Sequence, residues 1–166
     1  MIAYKFLAEG QVAPFTGFRW QTGEWVEAAS VRQCGGGVHA CRAHQLPYWL
    51  GPELWDIELD GDIVEHERKV VASRGRLVRR REEWTPSLLD AFAADLVQRT
   101  RRRFGSMPVV SGYVADIERF RSQRRIGLAA FAAARAAEVA EGPRAYDAER
   151  LRQARWLVDR LAPDAG

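Results

Sequence analysis

A chain of 166 residues, 47% of them hydrophobic, is long enough to bury one core without disulfide support, which argues against a disordered protein. No run of about 18 apolar residues occurs and the chain begins MIAYKFLAEG, so we expect neither a membrane span nor a signal peptide, and a cytoplasmic location. The net charge of +3 is uneven: residues 1–84 hold 11 basic and 12 acidic residues, whereas residues 85–166 hold 14 and 10.

The first 84 residues alternate short β-branched and aromatic stretches with glycine and proline, a pattern typical of strands joined by turns. Within 54–60, apolar residues alternate with acidic ones, which predicts one buried face and one solvated face. The acidic residues expected to point outward together are Glu53, Asp56, Glu58, Asp60, Asp62, Glu65 and Glu67. Asp60-Gly61 predicts a hairpin turn, and 42–50 a short helix. The predicted strands are 3–7, 18–20, 25–27, 37–40, 54–59, 63–71 and 77–80.

From Thr85 the apolar residues follow a helical period. Thr85-Pro86 predicts the N-cap and first turn of a helix that ends near residue 103. The glycine- and proline-containing segment 104–114 predicts a turn. A second helix is expected over about 115–140 and a third over about 144–161.

The predicted fold class is α+β, with a small twisted antiparallel sheet in the N-terminal half and three helices in the C-terminal half. The strand-rich part covers 1–84 and the helical part 85–166. No long linker separates them, so we expect the helices to pack against the sheet in one structural unit.

Both cysteines and two of the three histidines lie within residues 34–44, which makes a zinc site one hypothesis for this segment. Structural zinc sites usually take paired ligands from two separated knuckles. One alternative is therefore a glycine turn followed by a strand with buried, reduced cysteines, and another is a Cys–His nucleophilic pair. The four candidate ligands are Cys34, His39, Cys41 and His44.

Five of the six tryptophans lie in the N-terminal half, where they either fill a thin core or line a ligand pocket. If a pocket exists, we expect its wall to include Arg19, Trp20, Tyr48 and Trp49. Carboxylates and imidazoles are common general bases, so the candidate catalytic residues are Glu58, with Asp60 as the alternative carboxylate near the same strand end, and His39.

Arginines cluster in 99–103 and 119–125 of the helical half. Guanidinium groups bind phosphates bidentately, so a nucleic acid is a possible partner. Acidic residues are interspersed, however, and a solvated helix face or an acidic protein partner fits the same pattern.

Gly17-Phe18-Arg19-Trp20, Gly23-Glu24-Trp25 and the run CGGGVHAC at 34–41 resemble an uncharacterised domain of bacterial and phage proteins. In that domain a G-F-x-[YW] strand precedes a C-x-x-G-[FV]-H-A-C strand. The resemblance covers about the first half of the chain and implies no known activity. The preference for arginine over lysine also suggests a bacterial source.

A second resemblance is to ADP-ribosyltransferase-like folds, above all the small rifampicin-modifying type. It comprises a strand ending in glycine at 6–10, a strand and helix at 37–50, a strand at 54–61 and a closing strand at 75–78. It implies that scaffold and a nucleotide-sized cleft. Glu9 occupies the position at which those enzymes carry a histidine that holds the NAD ribose.

Three functional hypotheses follow. The first is a pocket-bearing enzyme or small-molecule-binding protein on an ADP-ribosyltransferase-like scaffold. The second is a non-enzymatic interaction module whose arginine-rich helices bind an acidic protein or a nucleic acid. The third is a zinc-stapled binding domain. Zinc and NAD are both candidate cofactors and the sequence favours neither; it also leaves the oligomeric state open.

Overall fold

The computed structural model describes residues 1–28, 31 and 36–161, and the chain divides into two compact units, Met1–Glu82 and Glu83–Gly166. Among the described residues, the first unit carries the strands and the second is helical, so the α+β class is confirmed. That the two parts pack as one structural unit stays a prediction.

The strand-rich unit is one antiparallel sheet. Its central strands are long, and the two short strands both pair with the same neighbour. Backbone hydrogen bonds in both directions between Tyr4 and Cys41, 2.9 and 2.8 Å long, then join the first strand to the residue after the third. The sheet therefore curls toward itself. In the described residues the strands are β1 (Ile2–Leu7), β2 (Val26–Glu27), β3 (Val38–Ala40), β4 (Glu53–Glu65) and β5 (Val70–Arg80), in the order β1-β4-β5-β2 with β3 also on β5.

The predicted turn at Asp60-Gly61 is wrong, because β4 continues through it. Gly61 has φ +74°, and the pairing of β4 with β5 shifts register between Asp60 and Ile63, which identifies a β-bulge. The chain reverses only after residue 65. Aspartate–glycine signals a positive φ, and both a hairpin turn and a bulge use one. The predicted strand 54–59 is part of β4, and the predicted strand 63–71 is divided between the end of β4 and the start of β5. The predicted strand 18–20 makes only an isolated bridge at Arg19.

The expected apolar face of β4 is confirmed, since Trp55, Ile57 and Leu59 all belong to the buried core of this unit. The acidic face differs from the prediction. Glu53 and Asp56 are 5% and 8% exposed and are held by hydrogen bonds and ion pairs instead of water. The predicted short helix is a 3-10 helix, Ala43–Tyr48.

The second unit has four helices in its described residues, one more than predicted: α1 (Pro86–Phe104), α2 (Pro108–Ser122), α3 (Ile126–Glu141) and α4 (Pro143–Leu161). Thr85 caps α1 as expected, its Oγ1 accepting from the Leu88 amide at 3.1 Å. The additional helix has two causes. Pro108 begins α2 earlier than predicted, as proline often does in a first helical turn, and the left-handed backbone at Arg124 divides the predicted helix 115–140 into α2 and α3.

Small residues let the helices of this unit approach closely. Most alanines of α3 are buried, and part of its surface packs with Phe104, Val110 and Val114 in one apolar cluster. None of the described helices combines the length and apolarity needed to cross a lipid bilayer.

Candidate functional site

The inner face of the sheet contains a lysine. Successive residues of a strand point to opposite faces, so Ala3, Lys5 and Leu7 of β1 share one face. Ala3 and Leu7 belong to the apolar core, and Lys5 between them is only 9% exposed. Lys5 also lies opposite the core residue Trp55 in the strand register. An ammonium group thus occupies a position that alternation reserves for apolar side chains.

The Lys5 ammonium makes few polar contacts. Its Nζ donates to the backbone oxygen of His39 at 2.6 Å and lies 4.7 Å from the centroid of the Trp20 ring, a cation–π distance. No carboxylate of the described residues lies within ion-pair distance of it. Burial lowers the pKa of Lys5 from 10.5 to about 8, because the ammonium loses its hydration.

Trp20 brings a second polar hydrogen to the same place. The residue is 5% exposed, and its Nε1 has no hydrogen-bond acceptor among the described residues. The rings of Trp20 and Phe18 are nearly perpendicular, with a centroid distance of 5.5 Å. Buried indole N–H groups normally find a partner, so an unpaired donor beside an unpaired cation is unusual.

A buried carboxylate positions the loop that carries Trp20. The Glu53 carboxylate accepts hydrogen bonds from the amides of Gly10 at 3.0 Å and Gln11 at 3.3 Å, and from Trp55 Nε1 at 3.0 Å. The Gln11 oxygen in turn accepts from the Trp20 amide at 2.9 Å. Gln11 has φ +62°, a left-handed conformation that costs free energy in a residue with a side chain. Glu53 offsets this cost and fixes Trp20 near Lys5.

Cys41 lies near Lys5 but is a poor nucleophile. The residue is 2% exposed, and burial raises the pKa of its thiol to about 12 although the Lys5 charge acts in the opposite direction. At neutral pH the side chain is therefore a protonated thiol. Its structural role is the backbone bridge to Tyr4.

The residues predicted for the cleft fall into separate clusters. Trp20 and the backbone of His39 meet at Lys5, as described. The His39 imidazole is half-buried with Nε2 3.4 Å from the Gly36 oxygen, and burial together with the Lys69 charge lowers its pKa below 6.5. Arg19 is exposed and reaches toward the Gly10 oxygen at 3.5 Å.

Tyr48 and Trp49 form a second cluster around Arg68. The Arg68 guanidinium lies 5.2 Å from the Tyr48 ring centroid, and Trp49 Nε1 donates to the Arg68 oxygen. Glu58 belongs to a third cluster on β4 and β5, where Arg76 donates to its carboxylate at 2.8 Å. These contacts of Arg68 and Glu58 are made within their own clusters and do not involve Lys5.

The zinc hypothesis is only partly covered by the structure. Cys34 lies outside the described residues, and among those described no group of three or more histidine, cysteine or acidic side chains is arranged to hold a metal. His44 is exposed on the 3-10 helix, whereas Cys41 is buried. The four-ligand site stays a prediction.

Sequence reasoning did not select Lys5 and Glu53, although each left a signal. Lys5 and Lys69 are the two lysines among 25 basic residues, so the chain keeps a lysine at an inward strand position while using arginine nearly everywhere else. Glu53 looked like one more acidic residue of a solvated face. Its burial depends on the loop at Gly10, which strand alternation does not reveal.

Comparison with known proteins returns one family. The model of a domain of unknown function, DUF7666, matches residues 1–86, which is 86 of the 166 residues and includes every residue of the Lys5 site. No curated protein and no solved structure matches the chain.

Proposed function

The chain belongs to the DUF7666 family, and from that premise we propose that its strand-rich unit binds a small molecule carrying a carboxylate or phosphate group. Lys5 and Trp20 are the donors that hold the anionic oxygens. The proposal concerns binding; it assigns no reaction.

The observation that carries this proposal is a buried ammonium without a carboxylate beside a buried indole N–H that has no acceptor among the described residues. A buried ammonium without a carboxylate costs several kcal/mol of hydration, and an unpaired buried N–H adds roughly 1–3 kcal/mol. The Lys5 ammonium lies 4.7 Å from the centroid of the Trp20 ring, whose Nε1 has no acceptor among the described residues. An anionic group that reaches this part of the unit would supply the charge that Lys5 lacks and the acceptor that Trp20 lacks.

The surroundings favour a preformed site. Glu53 and Gln11 fix the backbone of the Trp20 loop, and the His39 oxygen orients the ammonium. A site whose donors are already positioned loses less conformational entropy when a ligand binds. Arg19 is exposed next to Trp20 in the chain and is available to a second anionic group of a longer ligand.

The resemblance to ADP-ribosyltransferase-like folds narrows the ligand class to nucleotides, whose phosphates provide anionic oxygens. Glu9 occupies the position at which those enzymes carry the histidine that holds the NAD ribose. We therefore propose a nucleotide-sized anionic ligand on a scaffold of that type, without NAD-dependent transfer.

The test uses the two lysines of the chain as reporters. Protein labelled with ¹³C at the lysine ε carbon gives one NMR signal for Lys5 and one for Lys69, and pyrophosphate, NAD and succinate are titrated in turn. We expect at least one probe to shift the Lys5 signal and to raise the pKa of Lys5, because an anion stabilises the ammonium.

Matched variants distinguish the site from general charge effects. Lys5→Met should abolish binding of the active probe, whereas Lys69→Met removes the same charge and should leave binding unchanged. If none of the three probes moves the Lys5 signal of the folded protein, or if both variants bind equally, Lys5 is not a ligand donor and the proposal fails.

A further inference from the structure

The connection between α2 and α3 ends α2 with an arginine in an unfavourable backbone conformation. The Arg125 amide donates to the Phe120 oxygen at 2.8 Å and the Arg124 amide to the Arg121 oxygen at 2.9 Å. These two hydrogen bonds form a Schellman motif, and Arg124 occupies its left-handed position with φ +56°. Glycine is the usual residue there because it has no Cβ. Because Arg124 is exposed, packing of its side chain does not account for a non-glycine residue at this strained position.

The same turn concentrates positive charge that is incompletely neutralised. Arg119 and Arg121 pair with Asp116 and Asp90, at 2.7 and 2.8 Å. Arg124 and Arg125 are exposed and have no carboxylate within ion-pair distance among the described residues. No acidic residue occupies the first turn of α3, whose free amide groups add positive partial charge at the same turn.

The other arginine run of this unit has a different role. Arg99 lies between Asp95 and Glu149, at 3.7 and 3.6 Å, so it belongs to the interior of the unit. Arg101 pairs with Glu118 and Arg103 with Glu141, at 2.7 and 2.8 Å, which connects α1 to α2 and α3. These ion pairs account for most of the positive charge of 99–103, and they distinguish it from 119–125.

An aromatic side chain completes the turn. The Phe120 ring is partly exposed, and the guanidinium carbons of Arg119 and Arg125 lie 4.9 and 5.9 Å from its centroid. Guanidinium groups above an aromatic ring keep their edge donors directed outward. Basic side chains around an aromatic platform are typical of surfaces that follow a nucleic-acid strand.

We propose that the α2–α3 turn, with Arg119, Phe120, Arg121, Arg124 and Arg125, binds the phosphate backbone of a single-stranded nucleic acid. Arg124 and Arg125 contact phosphates directly, and Phe120 contacts a base. This function is independent of the small-molecule site of the strand-rich unit. An acidic protein is the competing partner; the aromatic ring and the two adjacent planar donors favour nucleic acid.

The binding experiment uses the full chain and a fluorescently labelled oligothymidylate at low salt. Three to four phosphate contacts predict a logarithmic salt slope of about −2 to −3, so a fourfold increase in salt should weaken binding about 15–60-fold. The double variant R124A/R125A should weaken binding about 10-fold or more at low salt and reduce the slope by about 1.4, because two contacts of about 0.7 each are lost.

The matched control is R144A/R155A, which removes the same charge from exposed arginines of α4. Unchanged binding by this control is expected. Equal losses in the two double variants would show that net charge alone attracts the oligonucleotide, and the proposal would be overturned. It would also be overturned if polyglutamate of equal charge displaced the oligonucleotide at the same concentration, since the partner would then be an acidic polypeptide.

Arg124→Gly separates the binding role from a structural one. Glycine relieves the left-handed strain, so we expect an unchanged or higher melting temperature together with weaker oligonucleotide binding. A structural role for Arg124 predicts a lower melting temperature and intact binding instead. That result would exclude Arg124 from the proposed surface.

Discussion

In the helical unit, the buried Glu149 carboxylate accepts hydrogen bonds from Arg152 and Gln153 and lies 3.6 Å from Arg99. In the strand-rich unit, the equally buried Lys5 ammonium has no carboxylate at ion-pair distance among the described residues. Both groups lost hydration on folding, but only Glu149 gained oppositely charged partners; Lys5 has a backbone oxygen and an aromatic ring instead. The comparison separates a charge that serves folding from a charge that is available to a ligand.

The Glu149 network also fixes how the helices of its unit meet. Gln153 is fully buried and donates to the Ala130 oxygen of α3 at 3.0 Å as well as to Glu149. Burial raises the pKa of Glu149, while the Arg99 charge opposes that rise. A polar network whose members satisfy one another specifies one arrangement of the helices. We therefore assign this cluster a structural role.

The largest effect is expected when the paired charge is removed. Glu149→Ala leaves Arg99 and Arg152 with Asp95 alone, at 3.7 and 3.8 Å, and breaking a buried pair in this way costs up to about 3–5 kcal/mol of unfolding free energy. Denaturant unfolding followed by far-ultraviolet circular dichroism measures this loss. Glu141→Ala is the control, because its exposed pair with Arg103 contributes only about 0–1 kcal/mol. A loss below about 1 kcal/mol for Glu149→Ala would contradict the structural assignment.

Removing the Lys5 charge should increase the free energy of unfolding at neutral pH, whereas removing Glu149 should decrease it. The folded-state pKa of Lys5 is about 8 against 10.5 in an unfolded chain, so the unfolded state binds more protons between these values. Stability therefore rises as the pH increases from about 8 to 10.5 and is lowest below 8. The full gain for this one group is about 3 kcal/mol. Lys5→Met removes the ionisable group and should be more stable than the wild type at pH 7.

The pH dependence of the wild type alone does not isolate Lys5, because Cys41 also affects stability at high pH. Its thiol pKa of about 12 exceeds the usual 9.0, so stability from this group falls as pH rises between these values, against the Lys5 effect. The difference between wild type and Lys5→Met, measured by urea unfolding from pH 7 to 10, isolates Lys5. If that difference does not shrink with increasing pH, the ammonium is not buried as described. Lys69→Met should follow the wild-type pH profile.

A smaller effect distinguishes a paired N–H from an unpaired one. Trp20 and Trp55 are both 5% exposed, but only Trp55 donates to a carboxylate, Glu53. Trp55→Phe leaves that carboxylate short of a donor and should cost about 1–3 kcal/mol more than Trp20→Phe, on top of similar losses of ring volume. Thermal unfolding of the two variants gives the comparison. Equal destabilisation would show that Trp20 Nε1 has an acceptor.

Local patterns were sufficient to predict the fold class, the apolar row of β4 and the cap at Thr85. They failed where one signal serves two structures. Asp60-Gly61 indicates a positive φ, and a bulge uses it as well as a turn does. Pro108 lies within the turn predicted at 104–114, but it is the first residue of α2. Arg124 follows α2 in the left-handed position where a glycine would have marked the boundary between α2 and α3.

The candidate site was harder to predict than the fold, because it is defined by hydrogen-bond and ion-pair partners that Trp20 and Lys5 lack among the described residues. Trp20 was selected for its ring, yet its unpaired Nε1 depends on which acceptors the folded loop leaves out of reach. Lys5 was not selected from the sequence, and only the folded structure shows that it lies opposite Trp55 with no carboxylate at ion-pair distance among the described residues. The burial of Glu53 likewise follows from a contact with Gly10, 43 residues earlier in the chain.

The smallest expected effect is that of metal removal on the melting temperature. Cys41 is 2% exposed whereas His44 is exposed, and among the described residues no group of three or more histidine, cysteine or acidic side chains is arranged to hold a metal. His39 Nε2 is directed at the Gly36 oxygen at 3.4 Å. We therefore expect exhaustive chelation to leave the melting temperature unchanged, as measured by differential scanning calorimetry before and after dialysis. A fall that added zinc reverses would overturn this expectation, since structural zinc contributes directly to folding free energy, and Cys34, His39, Cys41 and His44 would then be its ligands.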